Sequence, residues 1–211
     1  PGVALGLAMA GRAARDCDVV VADFDELAGF GLEDLAGKTL GLIGYGLIGR
    51  QVAQRAAAFD MRILVNQPRL TPELALESGV QATDFFDLLR QADFVSLHVP
   101  FSEETEAIIG PPELGLMKSS ALLVNMGHTD LIDEAALLQA LDARLIAGAA
   151  LSTLPPEVEE PSSTSVALRA HPRVVVQPHV SAVVREQRGG AALRGAEQMG
   201  AAAATRASRE R

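Results

Sequence analysis

The chain has 211 residues, enough for one generous domain or for one domain plus part of another. Its net charge of -9 argues against a nucleic-acid surface, and its one cysteine, Cys17, excludes an internal disulfide and a cysteine-based zinc site. With no Trp, one Tyr and seven Phe in a chain that is 48% hydrophobic, the core must be built mostly from Leu, Ala, Val and Ile.

The chain begins at Pro1 without Met, which reads as a fragment or a processed product. Apolar residues Val3, Leu5, Leu7 and Ala8 suggest a helix over roughly residues 2 to 15. The segment "PGVALGLAMAGRAAR" is too short for a membrane span of roughly 18 to 20 residues, and no basic region precedes it as in a signal peptide. The default setting is therefore cytoplasmic, with no membrane partner. An acidic connector leads to "TLGLIGYGLIG", where a regular alternation begins. Buried strands are expected at 39–43, 61–66, 93–98, 121–125, 146–151 and 173–176, with amphipathic helices between most of them, such as 47–58 and 133–143. This alternation implies a parallel, doubly wound sheet with helices on both faces. The stretch 155–164, "PPEVEEPSST", reads as a Pro-rich acidic loop, and loops of that length are often functional. The Ala-rich end of the chain reads as a frayed helical tail.

Gly44, Gly46 and Gly49 stand in G-x-G-x-x-G spacing between a predicted strand and a predicted helix. Gly44 would permit a tight turn, Gly46 the approach of a pyrophosphate and Gly49 close packing of helix on strand. The helix start, with Leu47 and Ile48, would supply amide donors. In this context the motif points to a dinucleotide. The second strand ends at Asn66, where an acidic residue usually binds the adenosine ribose. Asn66 can still bond a hydroxyl without repelling a 2′-phosphate, and Arg69 could pair with one. Together they tilt the expected cofactor from NAD towards NADP.

Three further segments carry chemistry: "VNMGHTDLIDEAAL", "IAGAALSTLPPEVEEP" and "VVVQPHVSA". With "LAGKTLGLIGYGLIGR" and "DFVSLHVPFSEETEAIIG", the stretch from about Leu35 to Ala182 resembles the NAD-binding domain of the D-isomer-specific 2-hydroxyacid dehydrogenases. That family includes phosphoglycerate dehydrogenases and glyoxylate/hydroxypyruvate reductases. The resemblance implies a Rossmann domain over 1–182, opened by a helix that helps form a homodimer. Residues 183–211 would be a remnant of the return to a substrate domain otherwise absent from this chain. It also implies NAD(P)-dependent hydride transfer at C2 of a small 2-hydroxy or 2-oxo acid. By matching motifs, His179 becomes the acid/base and Glu157 its partner, with Glu159 and Glu160 as rivals. His128 falls where the family has a carboxylate-binding Arg, and Ser152 where it has an Asp beside the nicotinamide amide. Val99, Pro100, Thr105, Met126 and Gly127 would line the cofactor. His98 reads as structural or cofactor-adjacent, and His171 as a turn residue before a strand. Imidazole offers at most two single donors in place of a guanidinium fork. The rival reading is therefore a catalytically impaired dinucleotide-binding module acting as a sensor or dimerising partner.

Overall fold

A computed structural model describes residues 35–68, 70–151 and 162–176. The expected helix over 2–15, Cys17, Arg69, Ser152, Glu157, Glu159, Glu160, His179 and the tail 183–211 lie outside the described residues.

Seven strands form one parallel sheet: β1 (Thr39–Ile43), β2 (Arg62–Asn66), β3 (Gln81–Ala82), β4 (Phe94–Leu97), β5 (Leu122–Asn125), β6 (Gly148–Leu151) and β7 (Val174–Val176). Their spatial order is β3-β2-β1-β4-β5-β6-β7. The helices are α1 (Leu47–Ala57), α2 (Pro72–Glu77), α3 (Phe85–Gln91), α4 (Pro111–Leu116), α5 (Glu134–Asp142) and α6 (Ser163–Ala170), with a 3₁₀ turn at Thr129–Leu131. The expected doubly wound fold is therefore present. Strand β3 is not among the expected strands. It has only two residues, neither of them buried, so it leaves no hydrophobic run to read. Residues 155–164 do not all form a loop. Ser162 caps α6, its Oγ accepting from the Ser165 amide at 3.1 Å, and Ser163 and Thr164 already belong to the helix.

Period-two alternation divides the core between the two faces of the sheet. On one face, Leu40, Leu42, Ile63 and Val65 pack with Val52, Ala53 and Ala56 of α1 and Ala75 of α2. On the other, Ile43, Leu64, Val95, Leu97 and Leu123 pack beneath Leu88 of α3, Leu114 of α4, Leu137 and Leu141 of α5, and Leu168 of α6. Gly41 sits where α3 crosses β1, and a Cβ there would lie 2.5 Å from Leu88 Cδ2.

The strand order sets the site's position. From β1 the chain builds outward through β2 to β3, then returns to lay β4 on β1's other side. Neighbouring connections therefore diverge from the β1–β4 junction and leave a crevice at the strands' carboxyl ends.

Candidate functional site

The crevice starts at Gly44. Its φ is +98°, and an added Cβ would lie 2.7 Å from the carbonyl carbon and oxygen of His98. Both backbone shape and the neighbouring strand therefore demand glycine here. The Gly44 amide donates to the Asn66 carbonyl at 2.9 Å, and the His98 amide donates to the Ile43 carbonyl at 2.8 Å. These bonds join the ends of β2, β1 and β4. At Gly49 a Cβ would meet the Gly44 carbonyl oxygen at 2.5 Å, so α1 can start this close to β1 only on glycine. At Gly46 nothing lies within 4 Å of an added Cβ, so the space above it is open.

Helix α1 begins without a side-chain cap and without an acidic residue in its first turn. By contrast, Thr71, Asp84, Asp133 and Ser162 each cap their own helix. The first amides of α1, with the positive end of its dipole, thus face the open side of the glycine loop. The exposed side chains of Leu47 and Ile48 flank it. A pyrophosphate fits this cradle in shape, donors and charge.

At the end of β2, the Asn66 side chain donates from Nδ2 to the Thr83 carbonyl at 3.2 Å. That bond uses one of the two Nδ2 hydrogens, and Oδ1 remains an acceptor. Past β4, His98 is mostly buried, with Nε2 3.0 Å from the Ser96 hydroxyl. Burial pushes its imidazole down to about 4, so it is neutral near pH 7. Half-buried Val99 packs against the core, and Pro100 is exposed. The Thr105 hydroxyl donates to the Pro100 carbonyl at 2.8 Å and accepts from the Ser102 amide at 2.8 Å. Thr105 therefore shapes the loop after β4, and its hydroxyl is occupied within that loop.

The loop after β5 presents His128. Buried Asn125 accepts from the Gly127 amide at 2.9 Å and donates to the His128 carbonyl at 2.8 Å, closing an Asx turn around half-buried Met126 and Gly127. A Cβ on Gly127 would lie 3.4 Å from Asn125 Oδ1, so the turn is closely packed. His128 caps the following 3₁₀ turn, its Nδ1 accepting from the Asp130 amide at 3.3 Å. Its ring stacks on Phe101 with centroids 4.5 Å apart and planes 22° apart. A ring nitrogen that accepts carries no proton, so the proton of the neutral ring sits on Nε2. Of the two donors expected from imidazole, only Nε2–H is free for a ligand. Asp130 Oδ2 lies 3.7 Å from Nδ1.

Sequence reasoning misses four participants: Gln67, Tyr45, Phe101 and Asp130. It reads Asn125 only as a strand end, although the Asn-x-Gly spacing is an available signal for the turn. His171 stands where expected, before β7, with Nδ1 accepting from the Arg173 amide at 3.1 Å. Among the described residues, no helix is long and apolar enough to cross a membrane.

Comparison with known proteins agrees with this geometry. Residues 7–181 match the model of the D-isomer specific 2-hydroxyacid dehydrogenase NAD binding domain. A glyoxylate reductase of Aeropyrum pernix is 41% identical over 166 residues, covering 79% of this chain and 49% of that protein. The chain spans half or less of the length of the curated relatives it matches first. A D-lactate dehydrogenase of Lactobacillus jensenii, solved with NAD+, superposes with a TM-score of 0.68 at 31% identity, covering 85% of this chain and 59% of that one. An acyclic imino acid reductase solved with NADPH and D-Arg superposes with a TM-score of 0.66 at 28% identity, covering 89% of this chain and 61% of that one. The chain belongs to the D-isomer-specific 2-hydroxyacid dehydrogenases, through their NAD-binding domain.

Proposed function

We propose that the protein is a nicotinamide-dependent oxidoreductase of a small D-2-hydroxy or 2-oxo acid. The observation that carries this is the open glycine cradle at the β1–β4 junction, with His128 presented from the next strand over. The α1 amides and Gly46 would hold the pyrophosphate, and Asn66 the adenosine ribose. Bound nicotinamide supplies or accepts the hydride. In this reading His179 holds the proton exchanged with the C2 oxygen, Glu157 orients that imidazole, and Ser152 bonds the nicotinamide amide. His128 offers its single Nε2–H to the substrate carboxylate. A homodimer in the cytoplasm completes the proposal.

Asn66 bears on the choice of cofactor. Its Nδ2 gives one hydrogen to the Thr83 carbonyl and keeps a second, while Oδ1 can accept from a ribose hydroxyl. Asn66 therefore suits a ribose hydroxyl without repelling a 2′-phosphate, and Arg69, which would pair with that phosphate, keeps the tilt towards NADP.

His128 also supports the second reading, a dinucleotide-binding module with weakened chemistry. One imidazole donor replaces a charged bidentate fork, a loss of roughly 1.5–3 kcal/mol, or about 10- to 150-fold in transition-state binding. The deciding experiment titrates NADH and NADPH, then assays glyoxylate and hydroxypyruvate reduction by the parent and His128→Arg. The dehydrogenase reading predicts NADPH bound at least as tightly as NADH, measurable turnover, and a gain in kcat/KM of about 10- to 150-fold in the variant. Cofactor binding with no turnover in either protein selects the module. Binding of neither cofactor at millimolar concentration overturns both.

A further inference from the structure

Besides the bond at Gly44, the glycine loop is fastened at Tyr45, from a place the reaction does not otherwise use. Tyr45, between Gly44 and Gly46, donates its amide to Gln67 Oε1 at 3.0 Å. Its carbonyl accepts from Arg50 Nε at 3.3 Å. Its ring is buried in the core with Val52 and Val65, with the Arg50 guanidinium 5.4 Å from the ring centroid. Amide, carbonyl and ring of the residue between two glycines are therefore all held. Gln67 follows Asn66 at the end of β2, so one dipeptide touches both the ribose edge and the phosphate loop.

We propose that Gln67 is a positioning residue for the cofactor, holding the glycine loop in its phosphate-binding shape through the Tyr45 amide. The proposal rests on the dinucleotide reading of the cradle. A loop with glycine on both sides samples many backbone shapes, and restricting them before binding removes an ordering cost from the affinity. A freed Tyr45 amide would also be an unsatisfied donor beside the incoming anion, able to recruit it into a displaced pose. The bond aims that donor away at β2 and leaves the α1 amides as the anion's partners.

The test compares NADH dissociation constants for the parent, Gln67→Met and Gln67→Glu, with the Tyr45 amide exchange rate read by NMR in each. Methionine keeps length and packing but cannot accept from the amide as Gln67 does. Glutamate keeps the acceptor and adds a charge that salt screens. Gln67→Met should weaken NADH by about three- to tenfold, the scale of one neutral hydrogen bond, with faster Tyr45 exchange. Gln67→Glu should keep Tyr45 protected. In about 0.5 M salt, where the screening length is roughly 4 Å, it should bind NADH near the parent's affinity. Unchanged NADH affinity in Gln67→Met, despite faster Tyr45 exchange, overturns the proposal. So does Gln67→Glu as weak as Gln67→Met at high salt with Tyr45 protected. If the parent itself binds no NADH, the cofactor reading has failed, and with it the proposal's premise.

Discussion

At the scale of single residues, the site uses groups whose hydrogen-bonding ends are already committed. Asn66 gives one of its two amide hydrogens to Thr83, His128 spends Nδ1 on the Asp130 amide, and His98 rests against Ser96. What each can offer a ligand is what remains. His98 shows the cost of such commitment in acid. Its imidazole titrates at 6.5 when unfolded and at about 4 in the folded protein, because burial disfavours the charged form. Between those values the unfolded chain binds the extra proton, so stability is full above about pH 6.5 and falls as the pH drops towards 4. The whole window amounts to about 3 kcal/mol. Urea unfolding at about pH 7.5 and about pH 4.5 should therefore show a larger loss in the parent than in His98→Gln. Equal losses in the two would refute the assignment. None of these commitments was legible in the sequence. The resemblance placed His128 in an anion-gripping position, but its Nδ1 bond depends on where the next backbone amide points. Gln67 and Tyr45 meet across a gap of 22 residues, which no local pattern reveals.

Elements were easier to read, and for a physical reason. Strands β1, β4, β5 and β6 are buried throughout, β2 is buried at its centre and β7 is half-buried, and all six appear as short apolar runs within two residues of their expected ends. Helix α5 carries an apolar stripe that matches its buried face, and α1 does so at Val52 and Ala56, while Ile48 of the same stripe is exposed beside the glycine loop. Helix α2 has only Ala75 buried, with Leu74 and Leu76 exposed, so its pattern gave no face to recognise. The loop after β5 was legible as a strand end, but its internal wiring was not. Asn125 is buried and bonds both the Gly127 amide and the His128 carbonyl. Asn125→Ala leaves both groups unpaired and should cost about 1–3 kcal/mol of stability. It should also unstack His128 from Phe101, a change visible as loss of the aromatic ring-current shift on the His128 protons. Thermal unfolding and NMR of the variant check both effects, and an unshifted melting curve would show that the turn holds without its asparagine.

For the whole molecule, the decisive contact joins parts that are distant in the chain. The glycine loop after β1 is complete only when the backbone of His98 and Val99 packs against Gly44. The unit β1-α1-β2 is local, but the return to β4 closes a long loop, and such pairings form late relative to local structure. In stopped-flow refolding, far-UV helix signal should therefore rise before the fluorescence enhancement of added NADH. Simultaneous rise of both signals would mean that the cradle forms without β4. The fold class was legible here because strand–helix alternation dictates a parallel sheet, and the order of strands then dictates the crevice. One consequence concerns light. The chain has no tryptophan and a single tyrosine, and that tyrosine is the residue held between the two glycines of the cradle. Tyrosine emission from this protein is thus a signal from the phosphate loop itself, an optical reporter placed at the cofactor site without any label.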